Sequence, residues 1–205
     1  METNRLEAFS DGVLAIIITI MVLELKVPHS TELAAIKPLL PILLSYVLSF
    51  IYIGIYWNNH HHLLKTVKNT NGAMMWANHH LLFWLSLLPF ATAWMGENHF
   101  AAMPSAVYGG VLFMSAIAYY ILQSLIIVVE GGNQSKLSRA IGTDWKGKLS
   151  PVLYVVGIGA SFFRPWLAGC IYAFVAMTWM IPDVRIEKVV DESKPAARRA
   201  KPSRE

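Results

Sequence analysis

The sequence predicts an all-α membrane protein of six transmembrane helices with both termini in the cytoplasm, and three observations carry that expectation. Of 205 residues, 55% are hydrophobic and only 15% charged, a balance more apolar than the core of a soluble domain of this size requires. The apolar residues gather into six runs, each near the roughly 20 residues that a helix needs to cross about 30 Å of hydrocarbon. Lys and Arg are also unevenly placed. With the N-terminus inside, 14 of the 17 fall on the cytoplasmic side: Arg5; Lys65 and Lys68; Lys136, Arg139, Lys146 and Lys148; and seven from Arg185 to Arg204. Only Lys26, Lys37 and Arg164 lie outside, and such a bias sets orientation.

The first run spans about residues 9–25. It opens with Arg5, Glu7 and Asp11 and ends at Glu24 and Lys26, without the basic start and small-residue cleavage site of a signal peptide, so it reads as a retained span. An external segment follows, in which Ser30 or Thr31 is placed to cap a short helix starting near Glu32. The second run, 36–57, carries Pro38 and Pro41 in its first turns, where proline is tolerated, and ends at Trp57, an interfacial anchor. The third, 73–95, contains Pro89, whose missing N–H predicts a kink or break near Leu85.

The fourth run is 106–129, after a short external loop at 96–105. The longest inner loop, from Glu130 to Lys148, is marked as flexible by Gly131, Gly132, Asn133, Gln134 and Ser135. The fifth and sixth runs, 149–163 and 165–181, meet at the tight hairpin Phe162-Phe163-Arg164-Pro165-Trp166. The membrane unit thus occupies 1–190, and 191–205 is a charged cytoplasmic tail. Gly157 and Gly159 read as a close-packing patch.

A net charge of +4 does not point to nucleic acid, because the surplus sits beside the membrane, where anionic lipid headgroups are the simpler partner. Cys170 is the single cysteine, so no intramolecular disulfide forms. No His-Glu-x-x-His, paired-aspartate or Gly-x-Ser-x-Gly pattern supports intramembrane catalysis, and no cofactor is expected. His60, His61 and His62, with His79 and His80, bring five imidazoles to one membrane face. Consecutive side chains on a helix diverge by about 100°, which disfavours a shared metal ion and favours interfacial hydrogen bonding and pH sensitivity.

The first span carries the sharpest signal. A charge inside a span costs about 2.5–3.5 kcal/mol at its centre, yet Asp11 sits one turn in, with Arg5 and Ser10 nearby. At about 100° per residue, Ile16, Ile20 and Leu23 form a narrow stripe and Asp11 points roughly 140° away from Ile16. The polar set and the stripe therefore face different surroundings. A buried Asp is tolerable only when paired, and His61, Trp76 and Asn78 are the candidates near the inner surface.

The segment Arg5-Leu6-Glu7-Ala8-Phe9-Ser10-Asp11, followed by Gly12-Val13-Leu14-Ala15-Ile16, resembles the Arg-x-x-x-Phe-Ser-Asp signature of the transmembrane protein 175 family, the lysosomal potassium channel and its bacterial single-repeat relatives. The resemblance extends through Trp57, His60, His61 and Asn78 to Leu87-Leu88-Pro89-Phe90-Ala91-Thr92. It implies six helices per repeat and a homotetramer around the first helix, in a bacterial inner membrane, with potassium as the permeant ion. The motif Arg5, Phe9, Ser10 and Asp11 would hold the helix, and apolar rings at Ile16, Ile20 and Leu23, with Thr19 as a polar neighbour, would form the constriction. Leu14 stands where relatives often carry an aromatic residue. The carbonyl filter Thr-Val-Gly-Tyr-Gly is absent, so selectivity would come from an apolar constriction. A secondary transporter, or a membrane enzyme using the histidine cluster, is the alternative.

Overall fold

The computed structural model describes residues 3–68, 70–135, 137, 138, 142 and 144–180. The tail at 191–205, and the end of the sixth run at Ile181, lie outside the described residues.

Helix α1 (Thr3–Leu23) buries Leu6, Ser10, Leu14, Ile17 and Met21, a spacing of three or four that keeps one stripe on the protein. It starts six residues before the hydrophobic run, because Leu6 extends the buried stripe beyond the point where hydropathy falls. After it, Ser30 Oγ accepts from the Glu32 backbone N–H at 3.2 Å, and a 3₁₀ segment, Leu33–Leu39, leads into α2 (Leu40–Leu64). The expected external helix is therefore this 3₁₀ turn, with Ser30 ordering its entry. Helix α2 buries Ser45, Ser49, Tyr52, Tyr56 and His60 along one face, and it runs past Trp57 by two turns.

The third run is two helices, α3 (Gly72–Ser86) and α4 (Leu88–Glu97), joined at Leu87. Pro89 occupies the first turn of α4, where its missing N–H costs nothing, so the break falls two residues past the expected place. Asn71 caps α3, its Oδ1 accepting from Met74 N at 2.9 Å. Helix α5 (Ala102–Val129) is followed by α6 (Trp145–Ser161), capped by Asp144, and α7 (Pro165–Met180).

Helices α1 and α5, and the segment Leu33–Leu64, are each long and apolar enough to cross a membrane alone. Helices α6 and α7, of 17 and 16 residues, rise about 25 Å at 1.5 Å per residue. No strand occurs among the described residues. Thr3 Oγ1 reaches Val67 O, the Lys68 N–H reaches Glu130 Oε1, and Trp179 Nε1 reaches Ser150 Oγ. These contacts bring the start of α1 and the ends of α2, α5 and α7 to the same end of the bundle. At the other end, Lys26 pairs with Glu97 at 2.9 Å.

The core is knotted by hydroxyls, since a buried O–H needs a partner. Ser49 shares hydrogen bonds with Thr92 at 2.7 Å and Tyr108 at 3.0 Å, tying α2 to α4 and α5. Tyr172 on α7 donates to Ser105 O at 3.1 Å, while Tyr52 donates to Tyr172 O at 2.6 Å. Tyr172 lies where only glycine lets the helices approach. A Cβ at Gly109 would fall on its hydroxyl and one at Gly157 on its ring, whereas Gly159 faces open space. Of the two glycines expected to allow close packing, Gly157 alone does so here.

Candidate functional site

Helix α1 has two unlike sides. On its back, three polar side chains engage α2 and α3. Glu7 Oε1 lies 2.7 Å from His61 Nδ1, Asp11 Oδ1 accepts from Trp57 Nε1 at 2.9 Å, and Ser10 Oγ accepts from Asn78 Nδ2 at 2.9 Å. The three residues fall within about 100° around the axis. Trp57 also stacks on His61, with ring centroids 5.7 Å apart and planes 14° from parallel, so the Asp11 and Glu7 contacts brace one another.

Between them runs a fully buried chain. The Ser10 hydroxyl donates to Leu6 O at 2.8 Å, which leaves its oxygen to accept from the Asn78 amide. Asn78 Oδ1 in turn faces His60 Nε2 at 2.7 Å. A carbonyl oxygen only accepts, so His60 carries its proton on Nε2. Its Nδ1 is buried without a hydrogen-bond partner. Ser10 and Asn78 are 0% exposed and His60 1%.

The front of α1 is open. Ile16 is 58% exposed, Ile20 43% and Leu23 78%. Thr19 is exposed, its hydroxyl returned to Ile16 O at 2.9 Å. Phe9 is half exposed and stacks on His79, centroids 5.4 Å apart, and Arg5 is exposed below it. Ile16 and Ile20, with Val13, Ile17 and Glu24, form one wall of an open groove of about 700 Å³; Pro89, Phe90, Ala93, Trp94 and Glu97 form the other.

Among the residues singled out from sequence, Ser10 and Asn78 meet directly. His61 takes Glu7, and Asp11 takes Trp57, which was outside the expected set of His61, Trp76 and Asn78. Trp76 is exposed and near His79, with ring centroids 6.0 Å apart. Glu7 and Trp57 were thus missed as partners. Glu7 precedes Asp11 by four residues, one helical turn, so periodicity alone places both on one face. An indole has a single N–H donor, and an anchor residue one turn before His61 was a candidate for the carboxylate. The histidines diverge to separate partners: His60 to Asn78, His61 to Glu7, His79 to Met75 O and His80 to Trp84. No cluster of His, Cys, Asp and Glu among the described residues is arranged to hold a metal ion.

Comparison with known proteins places this helix in a family. The endosomal/lysosomal potassium channel TMEM175 profile matches residues 5–89, which contain α1, its partners and the broken helix pair as far as Pro89. A protein of Chryseobacterium sp. (strain P1-3) named as a potassium channel is 60% identical over 193 residues, covering 94% of this chain and 100% of that one. Another so named, from Chamaesiphon minutus, is 33% identical over 180 residues, covering 82% of this chain and 88% of its own. The crystal structure of a lysosomal potassium-selective channel TMEM175 homolog from Chamaesiphon minutus superposes with a TM-score of 0.76 at 30% identity, over 88% of this chain and 97% of that one. With the whole length of one relative matched and the helical arrangement shared with a solved homolog, this multi-pass membrane chain belongs to the TMEM175 potassium channel family.

Proposed function

We propose that this protein is a potassium-permeable leak channel in which four copies of α1 surround a common axis. The observation that carries the reading is the division of α1: Glu7, Ser10 and Asp11 are engaged by its own subunit, whereas Ile16, Ile20 and Leu23 are left uncovered by it. A single helix encloses no water path, so a pore along that stripe requires several copies. The groove between α1 and α4 gives a neighbouring copy an apolar surface to cover.

Rings of Ile and Leu offer an ion no replacement ligands, and passage depends on how cheaply it sheds part of its hydration. Potassium, larger and more weakly hydrated than sodium, is favoured, and a narrow apolar ring also gates by dewetting. Thr19, on the same open side, supplies one hydroxyl per subunit next to the rings. Phe9, Ser10 and Asp11 of the motif, with Glu7, act as the mounting: they fix the rotation of α1 against α2 and α3 and so aim the stripe. The excess of Lys and Arg supports cytoplasmic ends.

The test is flux from liposomes containing the purified chain. A potassium gradient alone should drive electrogenic flux, linear in concentration and needing no coupled ion. The detergent-solubilised particle should contain four chains of 22.9 kDa. Ile16→Asn and Ile20→Asn should raise the flux and weaken discrimination against sodium. Saturable, coupled transport would replace the channel with a transporter, and unchanged flux and selectivity in both variants would remove the rings.

A further inference from the structure

We propose that a second, separate site lies inside each subunit: an aromatic cavity between α2, α5 and α6 that binds a small organic ammonium ion. The cavity has a volume of about 50 Å³ and lies in the same half of the bundle as the α1 mounting. Its walls are Tyr52 and Tyr56 from α2, Tyr119 from α5, Tyr154 from α6 and Trp179 from α7, with Asp144 at one edge. The rings are held at angles to one another. Tyr52 and Tyr154 are 6.3 Å apart and tilted by 56°, and Tyr56 meets Tyr119 edge-on at 6.1 Å. Several aromatic faces around one small space stabilise a cation through their quadrupoles, more strongly once it is desolvated.

The charge balance points the same way. Asp144 is the one carboxylate in the lining, which contains no Lys or Arg. It accepts from Gly147 N at 3.1 Å and from Gln123 Nε2 at 3.3 Å. A carboxylate has about four acceptor positions, so it retains capacity toward the cavity. Two of the polar groups in the lining are turned to protein partners: Trp179 Nε1 donates to Ser150 Oγ at 2.8 Å, and the Tyr52 hydroxyl to Tyr172 O. What the cavity offers a cation is ring faces, tyrosine hydroxyls and one negative charge. Its size holds roughly three to five waters, which matches an ammonium head of a few non-hydrogen atoms.

Tetramethylammonium is the probe. It is titrated against the purified full-length chain in sodium buffer at fixed ionic strength, followed by thermal stability and by tryptophan fluorescence, to which Trp179 contributes. The parent should show a saturable shift. Asp144→Asn keeps a residue that caps helices as well as Asp while removing the charge, and should weaken binding at least tenfold. Ala116→Phe, which fills the cavity from α5 without touching the carboxylate, should abolish it. No saturable shift in the parent, or an unchanged one in both variants, overturns the site. So does loss in Asp144→Asn without loss in Ala116→Phe, which would put the cation outside the cavity, and so does the reverse, which would remove the charge from recognition. The same chemistry occurs in free solutes and in choline lipid headgroups. In phosphatidylglycerol nanodiscs, added phosphatidylcholine should weaken tetramethylammonium binding if the headgroup is a source and leave it unchanged if only free ions enter; either result supports the site.

Discussion

Replacing Asn78 with alanine tests the mounting of α1 most directly. In the native protein Asn78 joins α1 to α2 through two hydrogen bonds, of 2.9 Å to Ser10 and 2.7 Å to His60, and all three side chains are at most 1% exposed. Ser10 keeps its bond to Leu6 O when Asn78 is removed, so its donor remains satisfied. His60 does not fare as well, because its Nε2–H loses its acceptor while its Nδ1 already lacks a donor. Stranding a buried donor costs about 1–3 kcal/mol. Within a membrane the measured coupling of such pairs is smaller, averaging about 0.6 and reaching about 1.7 kcal/mol, since the unfolded helices also find partners. The expectation is therefore a total loss of about 1–3 kcal/mol for Asn78→Ala, of which about 0.5–1.5 kcal/mol is coupling to His60. A double-mutant cycle with His60→Phe, read by unfolding in mixed detergent micelles, isolates that part. Additivity of the two substitutions to within about 0.3 kcal/mol would refute a hydrogen-bonded chain through Asn78.

Three further outcomes follow from other contacts. Trp57→Phe keeps the ring that stacks on His61 but removes the donor to Asp11, so it should destabilise the protein by about 1 kcal/mol, and the same change in an Asp11→Asn background should cost measurably less in the same unfolding assay. Gly157→Ala and Gly109→Ala should each lose about 1–3 kcal/mol through overpacking against Tyr172, while Gly159→Ala, which meets nothing, should be neutral or up to about 1 kcal/mol more stable; equal costs at all three would contradict the packing described. The Glu97 carboxylate, hydrogen-bonded to the Lys26 ammonium, holds that lysine above its ordinary value. Its contribution is complete below the normal lysine range and is lost as pH rises through the raised value. The pair is exposed, so Lys26→Gln should lower the melting temperature only slightly at neutral pH, and not at all in about 1 M salt, where the screening length is about 3 Å.

How far the amino-acid sequence reveals this molecule differs from helix to helix. Hydropathy is a sum over many residues, so each of the six apolar runs falls on helix, and the stripe of α1 follows from its 3.6-residue period. Ends are harder: α1 and α2 extend beyond their apolar runs because buried residues, Leu6 and His60, continue the packed face where hydropathy has already fallen. Pro89 announces a break, but its exact place depends on where proline is cheapest, the first turn of the next helix. The partner of Asp11 was out of reach for a different reason. Several donors lie near it in sequence-derived topology, and choosing Trp57 over Asn78 requires the rotation of α2 and α3 to within a fraction of a turn, which long-range packing sets. The tyrosine cavity draws on α2, α5, α6 and α7, and no local pattern joins residues so far apart in the chain.

Among the described residues, every polar tie from α1 to another element lies at or before Asp11; from Gly12 to Leu23 its hold on them is by apolar contact alone. The helix is thus a cantilever, clamped at its root and merely resting along its length. A small tilt at the clamp is magnified with distance, so Leu23 sweeps further than Ile16 for the same rotation. Changes at the root are transmitted as leverage, and the far tip is where they displace the helix most.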